Sequence, residues 1–174
     1  MASKITVRPE KHDDIPFIRH VHELAFLPSK VESRLVELLR EANKAPVSLV
    51  ASINNRVVGH VMFSPIIFDP DQQAIFGLGL APVGVLPEYQ NQGIGAMLIE
   101  HGLQACKGID CDLVVVLGNP KYYSRFGFMR AKDFQLENEY AADEEFMVME
   151  LHSGILDSIV GLVKYQPEFK ETGC

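Results

Sequence analysis

The stretch from Val83 to Ala96 contains the residues whose spacing first suggests chemistry. It leads from a hydrophobic strand through Gln90-Asn91-Gln92-Gly93-Ile94-Gly95 into a helix. Backbone N–H groups at a helix N-terminus have no intrahelical acceptor and the helix dipole favours negative charge there, so such a loop can hold a phosphate or a pyrophosphate. Gly93 and Gly95 would permit close approach of the ligand. Glycines that only pack the helix start explain the same pattern, so the pair alone leaves both interpretations open.

Histidine and glutamate side chains are further candidates for catalysis or metal binding. His20 and His22 are two residues apart on a predicted helix and point in different directions. They cannot form the i, i+4 pair of a helical metal site, and we expect no metal. His60 and Glu23 could each serve as a base through a water molecule, although solvated surface positions are the favoured interpretation for both.

Two other groups of reactive residues are expected to be structural. Cys106 and Cys111 fit small apolar core residues better than nucleophiles, because neither has a neighbouring histidine. The acidic run at 137–145 fits a solvated loop, with the alternative that it guides a cationic acceptor.

Composition limits the classes of protein that this chain can form. Its 174 residues are 47% hydrophobic and 22% charged, which is typical of a globular domain with enough apolar surface for a core. A net charge of −7 argues against an electrostatically driven nucleic-acid binder and tolerates cationic partners such as amines. The three cysteines are irregularly spaced and no apolar stretch approaches about 18 residues, so we expect a cytoplasmic protein that does not span a membrane.

The elements that must position these residues follow from periodicity and turn residues. Strands are predicted at 4–8, 47–53, 56–63, 74–86, 112–117, around 128 and at 146–151. Helices are predicted from the cap at Asp13-Asp14 to about 25, from a capping box at Ser29 to near 43, at about 93–107 and at 121–126. Asn54-Asn55 predicts a hairpin turn, because asparagine tolerates positive φ. The glycines and proline within 74–86 predict a bulged or splayed strand. We expect one domain over 1–174, with its core at about 4–151 and a covering tail at 152–174.

Two separated motifs resemble the GNAT superfamily of N-acetyltransferases. The first is the Q-x-x-G-x-G loop, in which Gln90, Gly93 and Gly95 occupy the defining positions of the family's [RQ]-x-x-G-x-[GA] loop. The second is N-P-K-Y-Y-S-R-F-G-F at 119–128, which is similar to the family's strand-end Asn, short helix and closing Tyr-x-x-x-Gly-Phe. The resemblance extends over about 4–151, and the form of the second motif looks most like the YhbS-like branch of bacterial predicted acetyltransferases.

This resemblance implies an α+β GNAT fold, with a central mixed, twisted sheet of about six to seven strands flanked by helices. The sheet would be splayed between its fourth and fifth strands, here 74–86 and 112–117. The resemblance also implies acetyl-CoA as co-substrate, its pyrophosphate held by the loop amides and its pantetheine arm by free backbone groups of strand 74–86. The residues implied for coenzyme binding are Val83, Gly84, Val85, Gln90, Asn91, Gln92, Gly93, Ile94, Gly95, Ala96, Asn119 and Tyr122.

The implied activity is transfer of an acetyl group to a primary amine of a small molecule or to an exposed amino group, by direct attack in a ternary complex. Tyr123 would donate a proton to the leaving CoA thiolate, since a tyrosine hydroxyl is protonated at neutral pH. The short interval after Asn119 leaves the choice between Tyr122 and Tyr123 open. A transferase for another acyl-CoA and a CoA-binding sensor without turnover are the alternatives. A homodimer is a reasonable expectation for a small enzyme, and the acceptor amine is unspecified.

Overall fold

The computed structural model describes residues 3–174, which form five α-helices and ten β-strands. The helices are α1 (Ile15–Ala25), α2 (Val31–Glu41), α3 (Ile94–Gly108), α4 (Pro120–Tyr123) and α5 (Pro167–Thr172). The strands are β1 (Ile5–Pro9), β2 (Val47–Ile53), β3 (Arg56–Pro65), β4 (Ile67–Asp69), β5 (Gly77–Val85), β6 (Leu113–Leu117), β7 (Met129–Arg130), β8 (Leu136–Asn138), β9 (Phe146–Glu150) and β10 (Gly161–Lys164).

Seven strands form one mixed sheet in the order β1-β2-β3-β5-β6-β9-β7, and three form a second sheet in the order β4-β10-β8. The chain also divides into two compact units, each of which we describe by itself. The first comprises the chain up to residue 63 together with 81–105 and 167–174, and the second comprises 64–80 and 106–166. No helix among residues 3–174 is both long and apolar enough to cross a membrane.

The first unit is built on antiparallel pairing of β1 with β2 and of β2 with β3. The hairpin between β2 and β3 turns at Asn54 and Asn55, whose φ angles of 50° and 64° confirm the predicted turn. α2 packs against both α1 and α5. Helices α1 and α2 bury apolar stripes that include Ile18 and Leu35, which places the core of this unit beneath them.

Helices α1 and α3 of the first unit cover opposite faces of β3. A Cβ at Gly59 would lie 2.9 Å from Leu98 of α3, so the missing side chain allows this helix to approach closely. His60, the next residue, contacts His22 of α1. Because successive side chains of a strand point to opposite faces, β3 has a helix on each side.

In the second unit, β6 lies between a parallel and an antiparallel neighbour. Gly77, Leu78 and Gly79 of β5 pair in parallel with Leu113, Val114 and Val115 of β6, and β5 continues beyond this ladder to Val85. β9 pairs antiparallel with β6 along its whole length. The buried Leu-Val-Val-Val run of β6 fits a strand whose two faces are both covered.

Three short strands of the second unit were not predicted from the sequence. β4 follows β3 directly, β8 lies at the start of the acidic run, and β10 lies in the predicted tail, which also contains α5 of the first unit. β10 is the central strand of the second sheet, antiparallel to β4 and parallel to β8. Each has only three or four residues, which is too short for a recognisable hydrophobic period.

Candidate active site

The loop between β5 and α3, in the first unit, presents a row of unpaired backbone amides. Residues 90–93 are exposed, and Asn91 and Gly93 have positive φ angles of 61° and 84°. Across the described residues 3–174, no protein group accepts a hydrogen bond from the amides of 91–96, and the first bonded amide of α3 is that of Met97, 3.0 Å from the Gly93 carbonyl oxygen. The loop therefore offers an anion site at the positive end of a 15-residue helix.

Side chains within this loop hold it against the end of β5. The amide nitrogen Nε2 of Gln90 donates to the carbonyl of Val85 at 2.9 Å, and Nε2 of Gln92 donates to the carbonyl of Glu88 at 3.3 Å. One backbone group of Val85, a residue predicted to bind the coenzyme, therefore already accepts a bond from within the loop. Gln90 acts here by shaping the loop. The space beside Gly93 is open, since a Cβ at this residue would meet no atom within 4 Å.

Gly84 of β5 lies against a buried histidine. A Cβ at Gly84 would be 2.8 Å from Nδ1 of His22, so α1 can approach β5 this closely only because residue 84 is a glycine. Nε2 of His22 forms a 2.8 Å hydrogen bond with Nδ1 of His60, while Nδ1 of His22 is buried without a partner within residues 3–174. Both rings are fully buried.

The expectation that His60 is a solvated surface residue is wrong, because α1 covers this face of β3. Burial lowers the pKa of His60 to about 3, and the positive charge of Arg40 contributes to the decrease while Asp14 opposes it. Burial also lowers the pKa of His22 well below its usual value, with further decreases from His60 and Arg40. Both rings are neutral at physiological pH. Glu23, the other predicted base, is partly exposed as expected.

The segment 119–123 belongs to the second unit, where Asn119 begins α4. Its side-chain oxygen accepts a hydrogen bond from the amide of Lys121 at 2.9 Å, and its carbonyl accepts from the amides of Tyr122 and Tyr123. Asn119 is thus the N-cap of the helix, the ordinary structural role for an Asn before Pro. Asn119 is exposed to solvent.

Tyr123 is buried in the second unit, whereas Tyr122 is half-buried. The ring of Tyr123 packs edge-on against Phe128 at 5.9 Å, and a Cβ at Gly118 would lie 2.3 Å from it. Burial, with a smaller contribution from Tyr122, raises the pKa of Tyr123 to about 12. Its hydroxyl is therefore protonated at neutral pH and can donate a proton. Tyr122 lies beneath the guanidinium of Arg125, 4.4 Å from its carbon to the ring centre.

The other reactive residues of the second unit, two cysteines and an acidic run, are buried or partly ion-paired. Cys106 and Cys111 are fully buried free thiols, in agreement with their interpretation as core residues. In the acidic run, Asp143 pairs with Lys132 and Glu144 pairs with Arg130, each at 2.8 Å, so part of its charge is neutralised. In the part of the chain that the structure describes, no group of three or more His, Cys, Asp or Glu side chains could hold a metal ion.

Comparison with known proteins identifies the family. The sequence model of the Acetyltransferase (GNAT) family matches residues 15–128. The chain belongs to the GNAT family. It is 34% identical over 165 residues to the Escherichia coli K12 protein named uncharacterized N-acetyltransferase YhbS. The aligned residues cover 94% of this chain and 97% of YhbS. It is also 36% identical over 116 residues to uncharacterized N-acetyltransferase YjhQ of the same organism, covering 66% of this chain and 64% of YjhQ.

Two solved GNAT structures match nearly all of the chain. The crystal structure of YhbS from Escherichia coli in complex with CoA matches with a TM-score of 0.91 and 32% identity, over 98% of this chain and 94% of that one. A Brucella melitensis GNAT acetyltransferase in complex with acetyl-CoA matches with a TM-score of 0.80 and 32% identity, over 96% of this chain and 99% of that one. The predicted GNAT fold, with its mixed sheet flanked by helices, and the likeness to YhbS are confirmed.

Proposed function

We propose that this GNAT protein is an acetyl-CoA-dependent N-acetyltransferase, which acetylates a primary amine of a small molecule or an exposed amino group by direct attack in a ternary complex. The observation that supports it most is the row of unpaired amides at 91–96. Such a row, at the positive end of α3, suits a diphosphate, and the open space at Gly93 leaves room for one. The YhbS and Brucella structures hold CoA and acetyl-CoA.

Each predicted site residue has a defined part in this proposal. The amides of 91–96 bind the pyrophosphate, and Gln90 holds their loop in shape. Backbone groups of Val83, Gly84 and Val85 receive the pantetheine arm, and Asn119 and Tyr122 contact the coenzyme. Acetyl-CoA supplies the acetyl group as a thioester. Tyr123, protonated at neutral pH, donates its hydroxyl proton to the sulfur as CoA leaves.

The loop assignment is tested by two glycine substitutions on the same helix. Gly95→Glu places a carboxylate among the unpaired amides, where it occupies the anion site and repels phosphate, so CoA affinity should fall at least about 30-fold. Gly108→Glu is the matched control: it adds the same charge at the other end of α3, where a Cβ would meet nothing within 4 Å. Calorimetry of both folded variants measures the difference. Normal CoA binding by Gly95→Glu would contradict the assignment.

The reaction itself is tested by release of free CoA thiol. The purified protein and acetyl-CoA are presented with polyamines, amino acids, aminoglycosides and peptide N-termini. Release that depends on one class of amine supports the proposal and identifies the acceptor class. CoA binding without release from any amine supports a sensor, and release only from a longer acyl-CoA supports a different acyl donor.

Three broader expectations stay predictions: a cytoplasmic location, a single domain over 1–174, and a homodimer. Light scattering of the purified protein measures the oligomeric state directly. Cooperative unfolding in one transition, observed with two probes, would support the single domain.

A further inference from the structure

A continuous line of polar side chains crosses the interior of the first unit between β5 and the surface. It begins at Nδ1 of His22, beside Gly84. Nε2 of His22 and Nδ1 of His60 are 2.8 Å apart, and Nε2 of His60 lies 2.8 Å from Oγ of Ser48. The same Nε2 of His60 lies 3.7 Å from a carboxylate oxygen of Glu10. Four polar side chains from α1, β3, β2 and the segment after β1 therefore form one path.

The inner end of this path is an unpartnered nitrogen. Nδ1 of His22 is buried without a hydrogen-bond partner within residues 3–174, in a ring that is fully buried. A buried polar atom without a partner destabilises the folded state, so a purely structural role would favour an apolar residue here. The nitrogen lies beside Gly84, 2.8 Å from where a Cβ of that residue would be, and Gly84 is one of the β5 residues proposed to contact the acetyl-bearing arm of the coenzyme.

The outer end of the path is a carboxylate that is held in place and reaches solvent. Arg40 donates to both oxygens of Glu10, at 3.0 Å from Nε and 2.8 Å from Nη2. The side chains of Glu10 and Arg40 are 18% and 20% exposed, and they line a cavity of about 220 Å³ together with Asn43, Ala45 and Pro46. A proton that reaches Glu10 can therefore pass to water.

The hydrogen bonds allow two arrangements of protons along the resting path, and the carboxylate of Glu10, 3.7 Å from Nε2 of His60, favours the one with a proton on that nitrogen. Both rings are neutral at physiological pH, since burial and Arg40 lower the pKa of each. In a neutral imidazole one nitrogen is a donor and the other an acceptor. With Nδ1 of His22 as a free acceptor, its Nε2–H donates to Nδ1 of His60, whose Nε2–H donates to Ser48. This arrangement leaves an unused lone pair on Nδ1 of His22, beside Gly84.

We propose that His22 and His60 relay the proton of the acceptor amine from the Gly84 side of β5 to Glu10, an inference that rests on the proposed N-acetyltransferase function. As the amine nitrogen bonds to the acetyl carbon, its N–H bond breaks and an Nδ1–H bond forms on His22. The Nε2–H of His22 moves to Nδ1 of His60, and the Nε2–H of His60 moves to Glu10, directly or through the Ser48 hydroxyl. The carbon–sulfur bond breaks with its electron pair on sulfur.

The relay leaves no charge on either ring. Each imidazole gains one proton at Nδ1 and loses one at Nε2, so both remain neutral with the other tautomer. The low basicity of the two imidazoles therefore does not prevent proton transfer along the path, because no imidazolium has to accumulate in the buried site. His22 is the catalytic member of the pair, since it would meet the amine, and His60 acts through it as a positioning and relay residue.

The first test observes the resting protons without any reaction. Nitrogen-15 NMR of histidine-labelled full-length protein at pH 7 distinguishes the two neutral tautomers and the imidazolium. We expect His22 and His60 to be neutral, each with its proton on Nε2. A proton on Nδ1 of His22 would overturn the proposal, because the path could then accept nothing from the amine.

The second test compares His60→Gln with wild type under conditions where the wild type turns over. We expect kcat to fall at least about 10-fold with the KM for acetyl-CoA unchanged, and the variant's kcat to rise with pH, since its proton must leave to solvent. His20→Gln, at an exposed position on the same helix, is the matched control and should behave as wild type.

The outcomes separate the relay from the reaction. If His60→Gln keeps the wild-type kcat and pH profile, the relay is wrong and the N-acetyltransferase stands. If the wild type binds CoA but releases none with any amine, the proposed reaction fails, and the relay fails with it because there is no proton to carry.

Discussion

Acid should destabilise this protein through His60, and the effect can be worked out from the structure. The ring is fully buried, and its pKa is lowered from 6.5 to about 3. Below pH 6.5 the unfolded chain binds a proton at this position, whereas the native protein does not until the pH nears 3. The neutral buried ring therefore contributes stability above pH 6.5, and that contribution is lost progressively as the pH falls toward 3.

The expected size follows from proton linkage. One proton bound only by the unfolded state lowers the free energy of unfolding by about 1.4 kcal/mol per pH unit. Over the window from 6.5 to about 3, His60 alone accounts for a loss of about 5 kcal/mol. His22, whose pKa is lowered in the same direction, adds a second loss of the same sign. This is a large fraction of the 5–15 kcal/mol by which a domain is typically stable.

Urea denaturation at a series of pH values between 7.5 and 4.5 measures this effect. As the pH falls from 6 to 4.5, the free energy of unfolding should decrease less steeply for His60→Gln than for the wild type. The difference between the two slopes should be about 1.4 kcal/mol per pH unit. The difference at pH 7.5 gives the pH-independent cost of the substitution. His20→Gln, exposed on α1, is the control and should keep the wild-type slope. Equal slopes for His60→Gln and wild type would refute the buried neutral imidazole.

Substitutions at a tyrosine and two glycines test other parts of the structure. Tyr123→Phe should lower kcat about 10- to 1000-fold in the CoA-release assay with acetyl-CoA affinity unchanged; loss in Tyr122→Phe instead would move the acid by one residue. Gly84→Ala should lower the free energy of unfolding by about 1–3 kcal/mol in urea, because its Cβ would lie 2.8 Å from His22. Gly93→Ala should lower the free energy of unfolding by only about 1–2 kcal/mol in the same measurement, because residue 93 has a φ of 84°.

Sequence reasoning predicts the elements that carry a long, regular pattern. The bounds of β2 agree with the prediction, and α1, α2, α3 and β6 agree to within about two residues at most ends. Short strands fail for a physical reason. β8 and β10 have three and four residues, and their stability comes from pairing within a sheet whose members are far apart in the chain. No local window contains that information.

The loop of unpaired amides at 91–96 could be predicted because its determinants are local. A strand end, two glycines and a helix start follow one another within 83–96, and the free amides result from the helix start itself. The role of Gln90 could not be predicted in the same way. Its bond to the Val85 carbonyl requires the chain to fold back through the turn at Pro87–Tyr89, and side-chain direction after such a turn is not fixed by residue type.

The buried histidines differ from both cases, because the local sequence predicts the burial of His22 but not that of His60. His22 follows Ile18 by four residues and precedes Ala25 by three, so the period that buries α1 also buries His22. β3 is buried at every position from 57 to 64, so alternation along it does not distinguish an inner from an outer face for His60. A buried imidazole needs a partner at each nitrogen. A histidine on the apolar face of a helix therefore predicts polar groups opposite it. His60, 38 residues away, meets one nitrogen, and the free Nδ1 beside Gly84 has no partner within residues 3–174.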